Sequence, residues 1–292
     1  MKFLVVIDEY GWAFEFFARG WKKYSRHQVD FLKWTEVSAK HISDYDIVFS
    51  MSSVVYERLV RRVALSGKKA VCGIRSLLSH EQAPDPSRLL ACVANSSRAY
   101  EIAREKHSSA SNIFYLRGAV DGNEWIYSDV SANRKVGWSG NPNQSVKRVH
   151  LLNRIAKRYG GVSKKTDWGV NLFVPGRARG DQLAWYRTLG CYVQTSSSEG
   201  LSQSLMEALA CGVPVVATPA GDTAKLVPAE WLLPMEEDAC VREADAKIER
   251  LFLNPMLAKE VGAANRRKFD SEGWCWSVRA GEYDALLEGL AK

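Results

Sequence analysis

The chain has 292 residues, of which 46% are hydrophobic and 25% charged, with a formal net charge of +7 and a pI near 9.0. That is enough apolar material for one large core or, more naturally at this length, two cores of ordinary domain size. No apolar run approaches the roughly 20 residues that cross a bilayer, and the start meets Asp8 and Glu9 after only five apolar residues, so neither a transmembrane span nor a secretory signal is expected and the cytoplasm is the predicted location.

Short apolar runs alternate with amphipathic stretches, the pattern of strands feeding crossover helices in a parallel sheet. In the first half, strands are predicted over 3–7, 29–34, 47–51, 70–74, 91–94 and 112–116. Helices are clearest over 12–24 and 96–107, the second opened by Ser96 and Ser97 as N-cap. Asp44-Tyr45-Asp46 has the form of a metal-binding D-x-D, in which the carboxylates meet Mg²⁺ or Mn²⁺ after a strand. Here the triplet precedes the strand 47–51 and reads as a structural turn.

A polar stretch over 121–134 breaks the rhythm and is the predicted linker. Beyond it, strands are predicted over 136–138, 170–174, 191–195 and 213–217, helices over 145–159, 181–189 and 202–210, and a largely helical remainder from 238. Between residues 132 and 187 there are 12 Lys or Arg against two Asp, a local net of +10, while the rest of the chain is slightly acidic. Such a block suits nucleic acid, a peripheral contact with anionic lipid, or a diphosphate ligand, and charge alone does not choose among them. The six cysteines form no C-x-x-C pair and the five histidines no ligand spacing, so reduced structural thiols and no bound transition metal are expected.

The most informative segment is Ser196-Ser197-Ser198-Glu199-Gly200-Leu201-Ser202-Gln203-Ser204-Leu205-Met206-Glu207-Ala208-Leu209-Ala210-Cys211-Gly212-Val213-Pro214-Val215-Val216. It follows a strand, turns at Gly200 and enters a helix that Ser202 can cap. A helix start at the carboxyl edge of a parallel sheet presents N–H groups and a positive dipole end, which suits a phosphate. Glu199 and Glu207 flank that start at a separation comparable to a pyrophosphate.

This segment resembles the E-x7-E signature of glycosyltransferase family four, the glycosyl transferases group 1. Arg117-Gly118-Ala119-Val120-Asp121 resembles the family's G-V-D element, Ala94-Asn95-Ser96 its preceding strand-to-helix step, and Gly137-Trp138-Ser139-Gly140 with Lys147 its second opening strand and phosphate-binding lysine. The helix over 274–290 resembles the one that returns to the first domain. The resemblance implies an α/β chain of GT-B architecture, two Rossmann-like doubly wound parallel-sheet domains facing across a cleft. The corresponding boundaries are 1–130 for the acceptor-side domain, 131–272 for the nucleotide-sugar domain and 273–292 for the returning helix.

The resemblance further implies retaining transfer from a UDP- or GDP-sugar with no essential metal or cofactor. Glu199 then meets the transferred sugar, Glu207 the ribose, Lys147 the leaving diphosphate, and Gly140, Gly200, Leu201, Ser202 and Gln203 line the donor. Asn141 stands where the family carries an arginine, which makes Arg148 the candidate to assist Lys147. Arg177 and Arg179 follow a strand end, where they meet a phosphate or base or simply form a surface loop. Gly11, Arg75 and His80 are acceptor-side candidates, His80 with a plain surface role as the stronger reading. The acceptor is expected to be a saccharide, lipid-linked or small-molecule hydroxyl. Transfer to modified bases of DNA, a sugar-nucleotide epimerase and a non-catalytic sugar-nucleotide-binding protein are the competing readings.

Overall fold

The computed structural model describes residues 1–75, 85–158, 170–172 and 179–292 of the chain. They divide into two compact units, one made of Met1–Asp121 with Trp274–Lys292 and the other of Gly122–Gly273.

The first unit is built on a six-stranded sheet of β1 (Lys2–Ile7), β2 (Gln28–Lys33), β3 (Ile47–Ser50), β4 (Ala70–Ile74), β5 (Ala91–Ala94) and β6 (Ile113–Tyr115), in the order β2-β1-β3-β4-β5-β6. Every pairing is parallel. Parallel strands need covered faces, and β1 shows how the sequence supplies them. Phe3, Val5 and Ile7 enter one core with Phe17, Trp21, Phe49 and Tyr283, while Leu4 and Val6 enter the opposite one with Val48, Val55 and Leu59. Helices α1 (Ala13–Tyr24), α2 (Ala39–Asp44), α3 (Ser53–Val60) and α4 (Ser97–Lys106) follow their strands, and Ser96 caps α4 by accepting from Ala99 N at 3.2 Å.

The turn before β3 is structural in its contacts. The Asp46 carboxylate accepts from Lys2 N at 2.8 Å, and Lys69 Nζ donates to Tyr45 O at 3.0 Å.

The second unit carries β7 (Val136–Gly140), β8 (Val170–Leu172), β9 (Cys191–Gln194) and β10 (Val215–Ala217) in the order β10-β9-β7-β8, again all parallel. Its helices are α5 (Val149–Arg158), α6 (Arg179–Tyr186), α7 (Gln203–Ala210), α8 (Thr223–Leu226), α9 (Glu237–Leu253) and α10 (Pro255–Ser271). The last helix, α11 (Trp276–Leu290), belongs to the first unit and packs on α1.

In both sheets the strand order reverses beside the first strand, between β1 and β3 and between β7 and β9. In open parallel sheets such a switch point opens a crevice at the carboxyl ends, because the two connections leave in opposite directions. The geometry of the second unit's crevice is therefore set by the segments after Gly140 and after Gln194. Among the described residues no helix is long and apolar enough to cross a membrane, and no three His, Cys, Asp or Glu side chains converge on a metal position.

Candidate active site

Two loops leave the switch point of the second unit and are laced to each other. After β7 the chain closes a turn in which the Asn141 side chain accepts from Asn143 N at 3.0 Å, then makes a 3-10 turn over Ser145–Lys147. After β9 it runs through Thr195, Ser196 and Ser197. Ser197 N donates to Val146 O at 2.8 Å, and the Thr195 hydroxyl lies 3.1 Å from Lys147 O and 3.3 Å from Arg148 O. This lacing fixes the roots of two side chains distant in sequence. Lys147 Nζ and Glu199 Oε1 meet at 2.6 Å, with the lysine 19% and the glutamate 10% exposed. Ser196 Oγ donates to the same oxygen at 2.7 Å.

Gly221 closes the other side of the glutamate loop. It has φ +58, and a Cβ there would overlap the carbonyl oxygens of Glu199 and Gly200, so the position requires both a left-handed backbone and no side chain. Asp222 N donates to Gly200 O at 3.1 Å, and the Thr218 hydroxyl to Ser196 O at 2.6 Å.

Helix α7 starts directly after Leu201 and Ser202. Ser202 occupies the cap position, yet its side chain makes no cap hydrogen bond, contrary to the expectation from sequence. The Ser202 hydroxyl lies instead 3.4 Å from Ser204 Oγ, which also accepts from the Tyr192 hydroxyl at 2.8 Å. Among the described residues the first amides of α7 have no side-chain cap, and they carry the positive end of the helix dipole. Gly140, at the end of β7, stacks over its own strand's Trp138: a Cβ would lie 2.8 Å from the indole Cζ2.

Glu207, one turn into α7, is 2% exposed, and its Oε2 accepts from Gln182 Nε2 and from the Tyr186 hydroxyl, each at 3.1 Å. Burial, reinforced by the Glu207 charge, pushes the Tyr186 hydroxyl pKa well up, so it remains a proton donor at any physiological pH. Arg148 lies elsewhere than expected for an assistant to Lys147. Its Nε donates to Thr195 O and its Nη1 to Met235 O, both at 2.6 Å, and the side chain is buried. Among the described residues it is the one non-glycine with positive φ, at 45°, a conformation that L side chains pay for sterically. The geometry makes it a brace behind the lysine.

Two further cations of the basic block are tied to the protein: Arg154 pairs with Asp238 at 2.6 Å, and Arg134 donates to Ser131 O and Asn133 O, each at 2.9 Å. Arg177 and His80 lie outside the described residues. In the first unit, Gly11 has φ 77 and its amide donates to Glu15. Arg75 is 8% exposed, with its guanidinium 4.3 Å from the Phe17 ring centroid and its Nε on Met51 O at 3.2 Å, so it is packed inward. The sequence gives no sign of a role for Gln182, Tyr186 or Gly221, and it places Ser196 at the head of the glutamate segment without assigning it a contact.

Two doubly wound parallel units, with convergent polar groups at the switch point of the second, define a protein of GT-B architecture, and solved structures of that class superpose along the chain. Residues 144–252, wholly within the second unit, match the model of the family glycosyl transferases group 1. Alr3699/HepE of Anabaena, solved with UDP and glucose, superposes with a TM-score of 0.72 at 16% identity, covering 99% of both chains. A glycosyltransferase of Rickettsia africae ESF-5 gives 0.67 at 12% identity, over 100% of this chain and 98% of the other. Sucrose-phosphate synthase of Thermosynechococcus elongatus gives 0.63 at 16%, over 85% and 74%. At these identities the likeness establishes the fold. Among curated proteins none matches the chain in sequence.

Proposed function

We propose that the chain is a glycosyltransferase that moves a sugar from a nucleoside diphosphate sugar to a hydroxyl acceptor with retention of anomeric configuration. The observation that carries this reading is the convergence of Lys147 and Glu199 just before the start of α7, which Ser202 does not cap, at the switch point of the sheet. The site offers a cation and oriented amides for a diphosphate, and a carboxylate a short step away for sugar hydroxyls.

In the proposed reaction the bond from the sugar's anomeric carbon to the β-phosphate oxygen breaks, and the acceptor oxygen bonds to that carbon on the same face. The acceptor's proton passes to the departing phosphate. Negative charge grows on that phosphate, where Lys147 and the α7 amides stabilise it most, so they lower the barrier rather than merely bind the ground state. Glu199 orients the sugar through its hydroxyls, and Glu207, locked by Gln182 and Tyr186, takes the ribose. UDP-sugars are the first donors to test, because Alr3699/HepE has been solved with UDP-glucose, and GDP-sugars the second. The acceptor is proposed to be a saccharide, lipid-linked or small-molecule hydroxyl, and the reaction to need no metal.

The test is donor consumption with product identification across UDP- and GDP-sugars. Glu199→Ala is expected to abolish transfer while unfolding as the wild type does. Near-normal turnover by that variant would remove Glu199 from the site.

A further inference from the structure

The two oxygens of Glu199 are used unequally. Lys147 Nζ and Ser196 Oγ both reach Oε1, at 2.6 and 2.7 Å. The cation placed to meet a diphosphate thus already has a carboxylate for a partner, and the pair is mostly shielded from water, with side chains 19% and 10% exposed. Shielding raises the cost of separating or overloading such a pair relative to a surface ion pair.

A diphosphate arriving at Lys147 brings like charge towards Glu199 and must share the ammonium with it. An intact nucleotide sugar carries hydroxyl donors into the same place, and these give the carboxylate hydrogen bonds in exchange for what it yields of Lys147. A bare nucleoside diphosphate ends in phosphate oxygens, which only accept, and leaves the carboxylate facing an anion. Ser196, rooted by Thr218 on its carbonyl, holds Oε1 in either case and keeps the carboxylate aimed.

We propose that Glu199 is a specificity-determining residue that discriminates the intact nucleotide sugar from the bare nucleoside diphosphate, by competing for Lys147, with Ser196 as its positioning residue. This rests on the reading given under Proposed function. In catalysis the arrangement has a direction: once the sugar has left, the compensating hydroxyls leave with it, and the Lys147–Glu199 pair helps to expel the spent nucleotide.

The test is calorimetric titration of the full chain with UDP and, separately, with UDP-glucose. Glu199→Gln keeps the shape and the acceptor for Ser196 but removes the charge. It is expected to bind UDP more tightly than the wild type, by about fivefold or more on the scale of a partly buried ion pair, and to bind UDP-glucose no more tightly. Ser196→Ala is expected to weaken UDP-glucose severalfold without tightening UDP, a split that a general loss of stability would not produce. A Glu199→Gln protein that folds normally and binds UDP no more tightly than the wild type overturns the proposal. If the wild type binds neither UDP nor UDP-glucose, the donor reading falls and this inference with it. If the wild type binds both and only the tightening is missing, the donor reading stands and this inference alone falls.

Discussion

The tightest test of the fold is a single carbon atom added at Gly20. This residue lies on the face of α1 that Trp276 of α11 covers, and a Cβ built on it would stand 2.6 Å from the indole Cγ and closer still to Cδ1 and Nε1. In an open helix interior, Gly→Ala gains up to about 1 kcal/mol from backbone entropy. Here the indole has to move, yet it is 1% exposed, with its centroid 4.5 Å from the Phe17 ring in an edge contact and 5.6 Å from Tyr283. Forced overpacking of this kind costs about 1–3 kcal/mol, and the upper end applies because ring atoms held by neighbours are overlapped. Gly20→Ala is therefore expected to destabilise the first unit by about 2 kcal/mol net. The same substitution at Gly281 of α11, where nothing lies within 4 Å of the added carbon, is expected to stabilise by up to about 1 kcal/mol. Denaturant midpoints of the two variants and the wild type decide the matter. A Gly20→Ala midpoint at or above wild type would refute the close docking of α11 on α1.

Further predictions concern the polar groups that hold α11. Asp284 is 1% exposed and accepts from Trp21 Nε1 at 2.8 Å, Ser25 Oγ at 2.7 Å and Arg26 N at 2.9 Å. Asp284→Ala strands three donors and is expected to cost about 3 kcal/mol or more in denaturant unfolding, with Asp284→Asn costing less. Glu288 is held by hydrogen bonds from Arg26 and then His27, which push its pKa from 4.5 down to about 2. Its folded pKa lies below its unfolded one, so its stabilisation is complete above pH 4.5 and is lost as the pH falls towards about 2. The stability gap between wild type and Glu288→Gln should accordingly be present at pH 7 and close across that window, and a gap independent of pH would contradict the pairing.

The elements with continuous apolar runs or helical patterning were legible from sequence. Ala70–Ile74 and Ala91–Ala94 coincide with the predicted strands, because a short continuous apolar run leaves a buried parallel strand few alternatives. Helices α2 and α3 fall where crossover helices are expected but had no bounds of their own in the sequence, since six and eight residues span barely two turns and give periodicity little to act on. The strand-turn-helix around Glu199 was visible through its motif and its glycine, and so was the position of Glu199 before the helix and Glu207 within it. The role of Arg148 was not visible. Sequence offers a cation next to a cation, whereas the structure turns this one inward to two carbonyls through a left-handed backbone step, a choice made by tertiary lacing to Thr195 and Met235. The failed cap at Ser202 has the same origin, a hydroxyl drawn into the Ser204 and Tyr192 cluster by residues remote in sequence.

The central claim, that the second unit's switch point takes the diphosphate of a nucleotide sugar, is tested most directly by a crystal structure of the chain soaked with UDP-glucose. The account predicts phosphate density within hydrogen-bonding distance of Lys147 Nζ and the first amides of α7, with the glucose hydroxyls on Glu199. Nucleotide bound at another place, with Lys147 and Glu199 still holding only each other and Ser196, would contradict it.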